Sequence, residues 1–124
     1  MPFIHAQILA GHSTEQKQAL LKNANKAVQE SIGAPEASIR ITLQEFQPHE
    51  VMVAGQEGKA FATIQVHLIE GRTEALKAAL IAALSQAASV SLGISQEDVR
   101  VMAIDVPKEN MGVAGGISAK AAGR

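Results

Sequence analysis

Apolar and polar residues alternate near the start of the chain and again in its middle. In Ile64-Gln65-Val66-His67-Leu68 every second residue is apolar, and Phe3 to Leu9 has a similar strand-like character. A period of two with β-branched residues predicts strands that turn one face to a core, over Phe3 to Leu9 and Thr63 to Ile69. A glycine follows each run, Gly11 and Gly71, and the period then lengthens. Leu20, Leu21, Ala24, Ala27, Val28 and Ile32 recur every three or four positions, which predicts a helix with one apolar stripe. Ser13 followed by Gln16 forms a capping box at its start, and Thr73 is the matching N-cap of a second helix. The helices run to about Ile32 and Leu92, where Gly33 and Gly93 end them. Second strands follow over Ile39 to Phe46 and Val99 to Val106. A glycine-containing segment then closes each unit.

The two halves are copies of one another. At an offset of 60 residues, with no gap, Ile4 falls on Ile64, Gly11 on Gly71, Lys17 on Lys77 and Leu20 on Leu80. The register continues through Gly33 and Gly93, Arg40 and Arg100, and Val53-Ala54-Gly55 and Val113-Ala114-Gly115. Self-similarity held this far marks a repeated structural unit. Strand, helix, strand within one unit implies a crossover between parallel strands. The predicted fold is therefore α/β (α+β): two tandem βαβ units, 2–56 and 62–116, in one domain spanning 1–124. They form a four-stranded sheet with both helices on one face.

Composition changes this picture in one respect. Between Ala75 and Leu92 the only charged residue is Lys77. A helix so poor in charge is not solvated all round, and it is expected to be buried on more than one side. Its Ala, Ser and Gln content and its place in a βαβ repeat argue against a membrane span. The open face of the sheet also needs cover, so the chain is expected to form an oligomer. Charge is nearly balanced, with 11 Lys+Arg against 12 Asp+Glu, which gives no global attraction to nucleic acid. There is no cysteine, which excludes disulfides and thiolate chemistry. Met1-Pro2-Phe3-Ile4-His5 lacks the start of a signal peptide, so a cytoplasmic location is expected. His5, His49 and His67 show no metal-ligand spacing, and no metal or cofactor is expected. Met52, Met102 and Met111 read as packing residues. The tail from Ser118 to Arg124 is expected to be mobile at its tip.

Pro2-Phe3-Ile4, the segment Ile69-Glu70-Gly71-Arg72-Thr73, Arg40 and Arg100 in the second strands, and Met111-Gly112-Val113-Ala114-Gly115-Gly116 together resemble 4-oxalocrotonate tautomerase of the tautomerase superfamily. The resemblance implies a subunit of that family duplicated end to end. Since the family's short subunits form hexamers, it implies a homotrimer with pseudo-hexameric architecture. It also implies that Pro2, exposed by removal of Met1, is the catalytic base. Arg72, Arg40, Arg100 and Met111 would then line the site for a small carboxylate substrate.

The chemistry agrees with the residue types. A free α-amino group titrates at about pH 7.7–8.0 when unperturbed, so an N-terminal amine serves as a base near neutrality. A secondary amine starts more basic, and an apolar pocket with nearby arginines lowers it. Arginines bind carboxylates bidentately and stabilise developing enolate charge. The implied reaction is a 1,3-keto–enol proton shift on a small 2-hydroxydienoate or enolpyruvate-type acid. The halves differ where it matters: Pro2 has Ala62 as its counterpart, and Arg72 has His12. Both losses fall on one of the two possible sites. Arg40 and Arg100 persist in both halves, and the sequence does not choose between them.

Other readings stand beside this one. Pro2 is also a harmless strand-start proline. The same fold could run hydration-based dehalogenation or decarboxylation of a 3-carbon acid, which needs a carboxylate beside the proline; Glu50, Asp105 and Glu109 are the acids near the closing segments. A catalytically inactive trimeric assembly is the third reading. Val51 and Met111 give the pocket an apolar wall without an aromatic ring, where the family often has one.

Overall fold

A computed structural model describes residues 2–124. Strand β1 (Phe3–Leu9), helix α1 (Thr14–Ile32) and strand β2 (Arg40–Phe46) form the first unit, and β5 (Ala62–Ile69), α2 (Glu74–Leu92) and β6 (Val99–Val106) the second. Each unit is closed by a small hairpin: β3 (Met52–Val53) with β4 (Gln56–Glu57), and β7 (Gly112–Val113) with β8 (Ile117–Ser118). The main sheet has the order β2-β1-β5-β6. Its outer pairs are parallel and its central pair, β1 with β5, is antiparallel. Two like units that meet in this way are related by an approximate twofold axis.

The alternation read from the sequence decides which face is covered. Ile4, Ala6 and Ile8 in β1, and Ala62, Ile64, Val66 and Leu68 in β5, are buried. They form one core with Leu20, Ala24 and Val28 of α1 and Leu80, Leu84 and Ala88 of α2. Both helices therefore lie on the same face. The alanines let the helices approach closely, and Asn23 Nδ2 of α1 donates to Ser91 Oγ of α2 at 2.8 Å, while Ser31 Oγ of α1 is buried without a partner among the described residues.

Local signals hold at both helix ends. Ser13 Oγ accepts from the Gln16 N–H at 3.1 Å while Gln16 Oε1 accepts from the Ser13 N–H at 2.9 Å. Thr73 Oγ1 caps α2 through the Leu76 N–H. Gly33 and Gly93 both sit at φ 67°, the left-handed conformation in which a side chain would be strained.

Several expectations need correction. The first β2 residue is Arg40, since Ile39 ends a one-turn 3-10 segment (Glu36–Ser38), while β5 starts one residue early at Ala62. In the single chain helix α2 is buried along one side, and Leu76, Ile81 and Val90 with the Ala75, Ala78 and Ala82 surface are exposed, which leaves the expected burial of the second side to a partner chain. Met52 and Met102 are exposed rather than packed, whereas Met111 is buried. The C-terminal tail is anchored at Ala119, which is fully buried and whose N–H donates to the Met111 carbonyl at 2.7 Å, while Lys120 to Arg124 are exposed. Arg124 N–H then donates back to the Ala119 carbonyl at 2.9 Å. By length and composition α2 could cross a membrane, but its Leu80, Leu84 and Ala88 are wholly buried against the sheet and α1.

Candidate active site

The antiparallel centre of the sheet brings the start of β1 beside the end of β5. Phe3 lies opposite His67 in β5 and opposite Arg40 in β2. Pro2 precedes Phe3, and its carbonyl accepts the Arg40 N–H at 3.1 Å. Beyond Ile69 the chain turns through Gly71 to Arg72, whose Nη1 donates to the Ile69 carbonyl at 3.3 Å. Pro2, Arg40 and Arg72 thus belong to one end of the sheet. The expected cleavage after Met1 falls outside the described residues.

The closing hairpin of the second unit packs against this end. Ile69, Met111, Val113 and Ala119 form a second buried cluster, and Phe3 and Val106 lie against it. Beside the cluster is a cavity of about 370 Å³ lined by Phe3, Ala37, Ser38, Arg40, Gly112, Val113 and Ala114. Phe3 and Arg40 also border a second cavity of about 260 Å³ on the open face of the sheet, with His5, Thr42 and His67. Pro2 itself is fully buried. Met111 contributes to the apolar cluster rather than to the cavity wall.

Arg40 is the cation available here. Its guanidinium carbon stands 5.9 Å from the centre of the Phe3 ring, and among the described residues it has neither a hydrogen-bond acceptor nor an ion-pair partner. Such a group, at the rim of an apolar cavity, can take a carboxylate with both arms of its fork.

The opposite end of the sheet holds the repeat-related counterpart. Ala62 replaces Pro2, and Thr63 pairs with Arg100 where Phe3 pairs with Arg40. The matching cavity of about 180 Å³ is lined by Val53, Ala54, Lys59, Phe61, Ala62, Thr63, Glu97, Asp98 and Arg100. Glu97 and Asp98 stand at the repeat positions of Ala37 and Ser38. Lys59 Nζ is bound to Asp98 Oδ1 at 3.3 Å, and Arg100 Nη1 donates to the Glu97 and Val99 carbonyls at 2.7 and 3.0 Å. This cavity carries acids and committed cations. The register thus separates the two arginines, which the sequence could not do. His12 follows β1 at this same end.

The acids required by the hydration-type alternatives are largely engaged elsewhere. Asp105 Oδ2 accepts from Lys77 Nζ at 2.9 Å, and Glu50 Oε1 accepts from the Gln47 N–H at 2.8 Å. Among the described residues there is no group of three or more side chains able to hold a metal. Phe3, Ala37, Ser38 and Val113 were not identified as site residues from sequence. The available signal was the contrast of Phe3 with Thr63 and of Ala37-Ser38 with Glu97-Asp98 at matched repeat positions.

Comparison with known proteins agrees with this architecture. The family model described as Tautomerase enzyme matches twice, over residues 2–60 and 63–121. The chain belongs to the tautomerase family and is an isomerase of that family, with the architecture of a fused 4-OT. It is 52% identical over 60 residues to a 2-hydroxymuconate tautomerase from Pseudomonas putida, covering 48% of this chain and 94% of that protein. A fused 4-OT solved as a wild-type symmetric trimer shares 54% identity, with TM-score 0.96, covering 98% of this chain and 99% of that one. A crystal structure of a protein inactivated by 2-oxo-3-pentynoate shares 46% identity, with TM-score 0.97 and the same coverage.

Proposed function

We propose that the chain catalyses enol-to-keto conversion of a small 2-hydroxydienoate or enolpyruvate-type carboxylic acid, with the Pro2 nitrogen as general base. The observation that supports this reading is the backbone hydrogen bond from the Arg40 N–H to the Pro2 carbonyl, at the sheet end that also holds Arg72. Loss of Met1 converts the Pro2 nitrogen from an amide into a secondary amine. That amine takes the enol hydroxyl proton and returns a proton to a carbon of the conjugated system, so no net proton is consumed. Arg40, whose donors are free among the described residues, holds the carboxylate, and Arg72, leaving the Ile69 carbonyl, stabilises the charge that builds on the enol oxygen. Ile69, Met111 and Val113 keep the surroundings apolar, which strengthens those interactions and favours the neutral amine. Residues 2–56 and 62–116 act as the two units of one domain, with one competent site per chain. Three chains form a cytoplasmic homotrimer, in line with the symmetric trimer of the fused 4-OT relative.

The named activity of the Pseudomonas putida relative makes 2-hydroxymuconate the first substrate to assay. Decay of the dienol absorbance should slow by about 10²–10⁴-fold in Pro2→Ala. Intact-mass spectrometry of the wild type should give a chain without Met1. Full activity in Pro2→Ala, or a wild-type protein that is active while still carrying Met1, would rule the mechanism out.

A further inference from the structure

The duplication supplies an internal control for the two strand arginines. Arg40 and Arg100 occupy the same repeat position, and each follows a one-turn 3-10 segment, Glu36–Ser38 or Gln96–Asp98. Arg100 folds back on its own backbone and donates to the Glu97 and Val99 carbonyls. The matching acceptors beside Arg40 would be the carbonyls of Ala37 and Ile39, yet Arg40 uses neither among the described residues. What differs is the cross-strand neighbour: Phe3 beside Arg40, Thr63 beside Arg100.

An aromatic ring attracts a guanidinium to its face within about 6 Å of its centre. It does so without occupying the five N–H donors, which remain in the guanidinium plane. At 5.9 Å, Phe3 meets that condition. The ring rests against the buried Ile69, Met111, Val113 and Ala119 cluster, so its position is fixed from behind. Thr63 has no π face to offer. With nothing to hold it out, the Arg100 guanidinium spends its donors on nearby carbonyls.

We propose that Phe3 is a positioning residue: its ring, held between the Met111–Val113 cluster and Arg40, keeps the Arg40 donors free for the carboxylate of the substrate. This rests on the reading of Arg40 as a carboxylate-binding group. It assigns to Phe3 a selective effect on substrate capture, separate from the proton transfer at Pro2.

The test is a set of variants assayed with 2-hydroxymuconate. Phe3→Leu retains apolar packing and removes the ring face; Phe3→Met, also ringless and of similar reach, is the parallel variant. Each should raise KM by about 3–10-fold with kcat within about twofold, while Phe3→Tyr should stay near wild type. In an Arg40→Met background, Phe3→Leu should add less than about 1.5-fold, because the interaction is already gone. The proposal falls if both ringless variants keep the wild-type KM, if Phe3→Tyr loses as much as Phe3→Leu, or if the Phe3→Leu effect persists undiminished without Arg40. Arg40→Met that leaves KM unchanged would overturn the role of Arg40 itself. A large Arg40→Met effect with silent Phe3 variants would overturn the role of Phe3 alone.

Discussion

Arg40 and Arg100 are the same residue type at the same repeat position, and their surroundings give them different chemistry. Arg100 has its Nη1 engaged by two carbonyls, whereas Arg40 faces the Phe3 ring at a cavity rim. Removing each should therefore have unequal consequences. Arg40→Ala is expected to lower kcat/KM by about 10–100-fold, the loss of a charge-assisted hydrogen bond worth about 1.5–3 kcal/mol. Arg100→Ala should change it by less than about threefold, because its cavity lacks a proline and contains Glu97 and Asp98. Steady-state kinetics on the two purified variants decides this, and equal losses would contradict the separation of the two ends. The sequence made both arginines visible through the repeat. It could not rank them, since strand register is a pairing between distant segments and leaves no local mark.

At the scale of elements, the repeat is kept by packing and broken in the closing hairpins. Val53 pairs with Gln56 across a two-residue turn, with Ala54 and Gly55 both at positive φ. Val113 pairs with Ile117 across a three-residue turn through Gly115 and Gly116. The extra residue ends the 60-residue offset, and it belongs to the hairpin beside Pro2. Shortening that turn by deleting Gly116 should perturb the Val113 wall and raise KM while leaving α1 and α2 intact, measurable by kinetics alongside circular dichroism. The helices are the sturdier part. Leu84 is fully buried between the sheet and α1, and Leu84→Ala should cost about 2–5 kcal/mol in denaturant unfolding. Gly93→Ala should cost about 1 kcal/mol, because the cap sits at positive φ where a Cβ is strained. These elements were legible from the periodicity and from Ser13, Thr73, Gly33 and Gly93. The exposure of Met52 and Met102 was not, because side-chain burial in a hairpin or edge strand depends on what packs across from it.

For the whole molecule, the proposed single site per chain predicts half-occupancy relative to the number of repeats. Treatment with 2-oxo-3-pentynoate, which inactivates a relative of the same architecture, should add a single label per chain, and peptide mapping should find it at Pro2. Two labels per chain, or a label away from Pro2, would contradict the assignment. The open face of the sheet and the exposed Leu76, Ile81 and Val90 of α2 leave apolar surface on the single chain. Sedimentation should report a three-chain particle rather than a monomer.

The sequence alone determined that the protein is a duplicated βαβ unit. It did so because strand and helix periods, capping residues and helix-ending glycines act over a few residues and are written in order. It also revealed that proline and the turn arginine are each lost from one half, which needs only the comparison of matched positions. Tertiary structure decided which arginine stands beside Pro2, which hairpin walls the cavity, and why one guanidinium is held out while the other folds back. Those outcomes follow from the antiparallel meeting of β1 with β5 and from the ring of Phe3. Both are contacts between parts of the chain that only folding brings together.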